Sequence, residues 1–180
     1  MAFSLKRNNR KSDGSSFIEM PFAIWLLLLG IVMPLICFAT LGIRYNFFLN
    51  AARTAAHVAA HAKSFQQDFP PDLSSQTIAS NTATTCCKAF NGVQLDAITT
   101  AIVITPVTGG APLVQTTKLA NAADEENFLY QIQVTLNGQL SPLINLPGGV
   151  FGFSIPGLTE PYPITTIAKE VSENTQGLDR

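Results

Sequence analysis

From Met20 to Ile43 the sequence reads MPFAIWLLLLGIVMPLICFATLGI, 24 residues without a single Asp, Glu, Lys or Arg. No other feature restricts the fold as strongly. Coiled into a helix the run is roughly 36 Å long, enough to cross a hydrocarbon layer of about 30 Å with some tilt. Inside lipid every backbone N–H and C=O needs a partner, and a helix supplies them within the segment. One charge at its centre would cost about 2.5–3.5 kcal/mol, so the clean run is informative. It is longer than the apolar stretch of a secretory signal and lacks a convincing small-x-small cleavage site at its end. A core helix of a small soluble domain would carry a polar face, and this run has none. Pro21 is expected in the first turn, where a missing N–H does little harm, and Pro34 in the interior, where it should kink the helix.

The flanks orient the segment. Lys6, Arg7, Arg10 and Lys11 lie before it in the first stretch of the chain, opposed there only by Asp13. Arg44 and Arg53 follow it, and the larger basic cluster predicts a cytoplasmic N-terminus with the remaining chain outside. Charged residues make up 13% of the chain, about half the usual share, and the net charge of −1 offers no basic surface for nucleic acid.

Where the leader meets the span stands Gly14-Ser15-Ser16-Phe17-Ile18-Glu19: glycine, four residues, glutamate, then hydrocarbon. This arrangement resembles the class III leader of type IV prepilins, in which a membrane-embedded aspartyl peptidase cuts after the glycine on the cytoplasmic side. The resemblance implies cleavage between Gly14 and Ser15, with Glu19 as fifth residue of the mature chain. Glycine lets the backbone enter a tight cleft in extended form, and the basic leader holds the site at an anionic leaflet. A glutamate beside hydrocarbon is costly unpaired, and in a pilus-like bundle it would pair with the new α-amino group of a neighbouring subunit. Beyond the span, Asn50-Ala51-Ala52-Arg53-Thr54-Ala55-Ala56-His57-Val58-Ala59-Ala60 sharpens the likeness. Together with the leader, Glu19 and the apolar run it resembles the N-terminal region of TadE-like pseudopilins of tight-adherence (Flp-type) pilus systems. Many of these have an aromatic residue directly after the glutamate; here it is Met20. The resemblance covers about the first third of the chain and implies a minor pilin in the inner (cytoplasmic) membrane. Its partners would be other pilins and the prepilin peptidase.

The expected architecture is α+β: a cytoplasmic leader (1–14), a transmembrane helix with its extracytoplasmic extension (15–67), and a small, mostly antiparallel sheet domain (68–180). In the extension Tyr45, Phe48, Leu49, Ala52, Ala56, Ala59 and Ala62 recur at three and four and predict the buried face. Asn46, Asn50, Arg53, His57, His61 and Ser64 predict the wet one. The helix should stop before Pro70-Pro71. A short helix is expected over 75–90 and strands over 97–107, 113–117, 128–136 and 164–171. Gly109-Gly110 and Asn137-Gly138 read as turns. In 128–136, Phe128, Tyr130, Ile132, Val134 and Leu136 alternate with Leu129, Gln131, Gln133 and Thr135, the period of a strand with one apolar face. The Gly/Pro-rich stretch from Pro142 to Pro163 reads as a loop in which Phe151 and Phe153 cover the core, and the tail beyond Glu173 as frayed.

Little in the sequence suggests catalysis. His57 and His61 share one helical face, but no carboxylate lies between them and no third metal ligand is evident. No glycine pattern carries a phosphate-binding lysine. Hence no catalytic residue, metal or cofactor is expected. Cys86 and Cys87 leave three options: a vicinal disulfide, an intermolecular bridge, or two thiols. The competing readings are a membrane-tethered extracytoplasmic enzyme or metal-binding protein using the two histidines, and a tethered ligand-binding domain with an uncleaved anchor.

Overall fold

A computed structural model of the protein describes residues 16–144 and 155–180, with the backbone alone for Ser16–Glu19. Two compact units emerge, one ending at Ile36 and the other running from Cys37 to Arg180. The first contains helix α1 (Ser16–Leu27), a π-helical stretch (Leu28–Val32) and the opening residues of α2 (Met33–Ala60). The second contains the rest of α2, helix α3 (Ser75–Lys88) and four strands: β1 (Val93–Pro106), β2 (Leu113–Gln115), β3 (Phe128–Leu140) and β4 (Tyr162–Val171). The strands form one antiparallel sheet in the order β2-β1-β3-β4. The expected α+β architecture, a long apolar N-terminal helix with a small antiparallel sheet, is the one observed.

Alanine sets the helix–sheet contact. Phe48, Ala51, Ala52, Ala55, Ala56, Ala59 and Ala60 are buried and form one core cluster with Ile132, Val134, Leu136 and Leu140 of β3 and Ile102 of β1. Alanine favours the helix, and its single methyl group lets backbone approach backbone. The buried stripe is rotated from the expected one: Tyr45 is exposed, while Ala51 and Ala55 are buried. With small residues on both sides of the stripe, the sequence does not say which edge faces the sheet. Helix α2 also ends earlier than a proline stop suggests. Its last carbonyls are taken by distant donors: Ser75 Oγ donates to Ala59 O (2.9 Å) and Glu173 N–H to Ala60 O (3.0 Å). Those partners satisfy groups that a helix leaves orphaned, and they release the chain at Ala60. Ser64, expected on the wet side, is 3% exposed because it lies beyond the helix.

Helix α3 starts where Ser74 accepts a hydrogen bond from Thr77 N–H, an N-cap. Asp68 reinforces this turn, accepting from Ser74 N–H (2.7 Å) and from the Thr77 hydroxyl (3.2 Å). The Ser74 backbone N–H, more than any other group, holds the Asp68 carboxyl below the usual carboxylate range; Ser74 and Thr77 side chains add to it. Ser75, Ala79, Ala83 and Cys87 form its buried stripe at a spacing of four.

The strands differ from expectation mainly in length. The alternation of β3 holds: Tyr130, Ile132, Val134, Leu136 and Leu140 are buried. But Asn137-Gly138 is no turn. β3 continues through it, with Gly138 opposite Leu95 and Asn137 opposite Ala97, where Asp96 is the extra residue of a β-bulge in β1. A Cβ at Gly138 would collide with the Gln94 carbonyl and lie 3.0 Å from Phe48 Cε2 and Cζ. The glycine therefore serves close approach inside a strand, a second use of the residue that also makes turns. At Gly109 (φ 91°) the expected turn between β1 and β2 does occur.

The tail is docked rather than frayed. Leu178 is 2% exposed, its carbonyl accepts from Leu119 N–H (2.8 Å), and the Arg180 carbonyl accepts from Gln66 N–H (2.9 Å). A short 3₁₀ turn, Thr175–Gly177, brings Gly177 so near Lys63 that a Cβ there would overlap the Lys63 carbonyl. Its polar composition misled because the contacts are made by backbone groups. Phe151 and Phe153 lie outside the described residues.

Candidate membrane-spanning helix and its flanks

The apolar run is helical from Ser16, the first described residue. Pro21 therefore lies inside α1 rather than in its first turn and, lacking an N–H, cannot donate to the carbonyl four residues before it. Pro34 follows closely on a local widening of the helix. The five residues Leu28–Val32 are π-helical, and Met33 N–H donates to the Leu28 carbonyl five residues back. Proline at 34 removes the donor that Gly30 would otherwise receive, and a widened turn redistributes the ladder around that gap.

Exposure separates this helix from a core helix. Phe22 is 72% and Trp25 68% exposed, and the most apolar stretch is 6% buried. Large aromatic and aliphatic groups left open on every side of a helix are stable only in a non-aqueous surrounding or against partners. Among the described residues this is the one helix long and apolar enough to cross a membrane. Its length and composition are those of a membrane anchor, and a signal sequence near an N-terminus has them too.

The end of the run belongs to the folded unit. Cys37 is 2% exposed, and Leu41 packs on Gly157, where a Cβ would lie 3.2 Å from Leu41 Cδ2. Arg44, the first charge after the run, donates through Nη1 to the Ser141 carbonyl and lies against Gly92. Ser141 N–H in turn donates to the Gly92 carbonyl (2.9 Å). Phe47 stacks on Phe90 with ring centroids 3.6 Å apart.

Gly14 and Ser15, the residues of the expected processing site, lie outside the described residues, as does the basic leader; Glu19 is described for its backbone alone, which is helical. The two histidines touch each other. His57 is in the last turn of α2 and His61 just past its end, their rings edge-to-face at 4.8 Å. His61 Nδ1 lies 2.6 Å from Glu173 Oε2. Sequence reasoning missed Glu173 because it sits in the tail, 112 residues away. Among the described residues no group of three His, Cys, Asp or Glu side chains is placed to hold a metal ion.

All three cysteines are free thiols. Cys86 and Cys87 are consecutive in α3, where neighbouring side chains point about 100° apart around the axis, and their sulfurs are not bonded to each other. Cys87 is buried, and desolvation, aided by Cys86, pushes its thiol up to about 11. A groove of about 250 Å³ runs between α3 and the edge of β1, lined by Gln76, Ser80, Ile98, Thr99, Thr100 and Thr116. Those six residues supply amide, hydroxyl and one aliphatic side chain, with no carboxylate, imidazole or amine among them.

What the fold and the helix define is a class: an α+β protein with, among the described residues, one membrane-length apolar helix at its N-terminal side. No protein-family model matches the chain, and no curated protein or solved structure matches it either.

Proposed function

We propose that this protein is a minor pilin or pseudopilin of the TadE kind, taking part in assembly of a tight-adherence (type IV-like) pilus or secretion apparatus. In this reading Met20–Ile43 spans the inner (cytoplasmic) membrane, the N-terminus is cytoplasmic and the sheet domain extracytoplasmic. The observation that carries the reading is the order of features at one boundary: basic leader, Gly14, four residues, Glu19, then an exposed apolar helix. Cleavage after Gly14 removes the basic leader and keeps the helix as anchor. The helix then packs beside other pilin helices, with Glu19 paired to a neighbour's α-amino group in a setting where an unpaired charge is expensive. Its uncovered aromatic and aliphatic surface supports a role in a helical bundle as well as in lipid.

The reading predicts a mature N-terminus at Ser15. Mass spectrometry of the protein purified from cells containing a prepilin peptidase should find it, and Gly14→Ala should leave the leader in place. An intact leader on the wild-type chain in those cells would refute the pilin reading while leaving the membrane helix standing.

A further inference from the structure

We infer that the base of the folded unit sits in the lipid interface, with Ile43, Tyr45, Leu143, Ile144, Ile155 and Tyr162 as a collar immersed at the level of the headgroups. The inference rests on the reading of Met20–Ile43 as a membrane span.

The first observation is a shortfall in length. Of the apolar run, Met20–Ile36 precedes the folded unit, and Cys37–Ile43 is part of it. Those first 17 residues rise about 25 Å, while the hydrocarbon layer is about 30 Å thick. Roughly three more residues must lie in hydrocarbon, which puts its boundary near Thr40. Within the folded unit the last residues of the run already carry protein: Cys37 is covered and Leu41 touches Gly157.

The second observation is what surrounds the helix there. Ile155 is 41%, Tyr162 44% and Leu143 45% exposed, and Ile43 and Tyr45 are open on the helix itself. Two of these stretches are tied to the helix: Gly157, beside Tyr162, touches Leu41, and Ser141, two residues before Leu143, accepts from Arg44. Tyrosine at such a height, with an apolar ring and a polar hydroxyl, is the residue type of membrane interfaces. The turn that presents Ile155 is internally braced: Ile155 N–H donates to Thr159 Oγ1 (2.8 Å), Thr159 N–H to Ile155 O (2.9 Å), and Thr159 is 1% exposed. Arg44 is tied to Ser141 rather than reaching outward, and Glu160 is an exposed carboxylate of the same turn. Ile43, Tyr45, Leu143, Ile144, Ile155 and Tyr162 carry no charge, so the partner is the interface of a zwitterionic lipid, held by apolar contact.

The test uses full-length protein in phosphatidylcholine vesicles containing lipids brominated at defined depths. Trp25, the single native tryptophan, reports the span. Tyr162→Trp and, separately, Ile155→Trp in a Trp25→Phe background report the collar. Val107→Trp in the same background is the control, because β1 runs about 45 Å from Val93 to Pro106 at ~3.3 Å per residue and ends beside it. We expect the tryptophans at 162 and 155 to emit at shorter wavelength than the one at 107. They should lose most of their intensity to lipids brominated nearest the headgroup, and the tryptophan at 107 none. Quenching of Trp25 without quenching at 162 and 155 would overturn the collar and leave the span intact. A blue shift at 162 that no brominated lipid quenches would overturn it too, and would mean that a second copy covers the surface. Failure to quench Trp25 itself would sink the span and the collar together.

Discussion

Gly138→Ala isolates the least expected contact in the fold, the passage of β3 beside the Asp96 bulge. The new methyl group would meet the Gln94 carbonyl oxygen at a forbidden distance and the Phe48 ring at 3.0 Å. Alanine in a strand gains about 0.5–1 kcal/mol over glycine by limiting the unfolded chain, whereas an extra methyl in a full core costs about 1–3 kcal/mol. The obstacle is backbone rather than a side-chain end, so the cost falls toward the upper figure and the net loss is about 1–2 kcal/mol. A urea titration in detergent, followed by the near-ultraviolet dichroism of the buried Tyr130, reads this as a lower midpoint. The companion variant is Phe48→Leu. Were the ring the main obstacle, the double variant would regain stability, with a coupling of about 0.5–3 kcal/mol; with the Gln94 carbonyl as the obstacle, the two losses add within about 0.5 kcal/mol. A neutral or stabilising Gly138→Ala would refute the described passage, and a strong rescue by Phe48→Leu would refute the Gln94 carbonyl as the main obstacle.

Two further outcomes follow from the titrating groups. Cys87, with its thiol near 11, is about one part in a thousand thiolate at pH 8 and also buried, so maleimide at that pH should label half-buried Cys86 and spare Cys87; equal labelling by peptide mass spectrometry would contradict the burial of α3. Asp68 is depressed in the folded state, so its contribution to stability is complete above its unfolded value near pH 4 and is lost as the pH falls through the lower folded value. Acid unfolding of Asp68→Asn should therefore show a shallower dependence on pH below about 4 than the wild type, and an unchanged slope would remove Asp68 from the cap of α3.

The sequence by itself determined whatever depends on a repeat along the chain. Met20–Ile43 is legible as a membrane-length helix because its lack of charge is a property of the segment alone. The alternation in Phe128–Leu136 is legible because one buried face forces a period of two, and Ser75 onward is legible as a helix. Gly14, Ser15 and Glu19 were likewise legible as a pattern, and their reading rests on that pattern.

Tertiary structure decided where elements end and which groups meet. Ala60 closes α2 because Ser75 and Glu173 arrive from elsewhere to take its carbonyls. Asn137-Gly138 stays in a strand because the partner strand bulges at Asp96, more than forty residues earlier. Leu178 is buried and Glu173 reaches His61 because backbone groups of the tail find donors on Leu119, Phe65 and Gln66. Periodicity is a local consequence of burying one face, whereas an end or a pairing is settled by free polar groups finding partners far away in the chain, and a single sequence does not carry those distances.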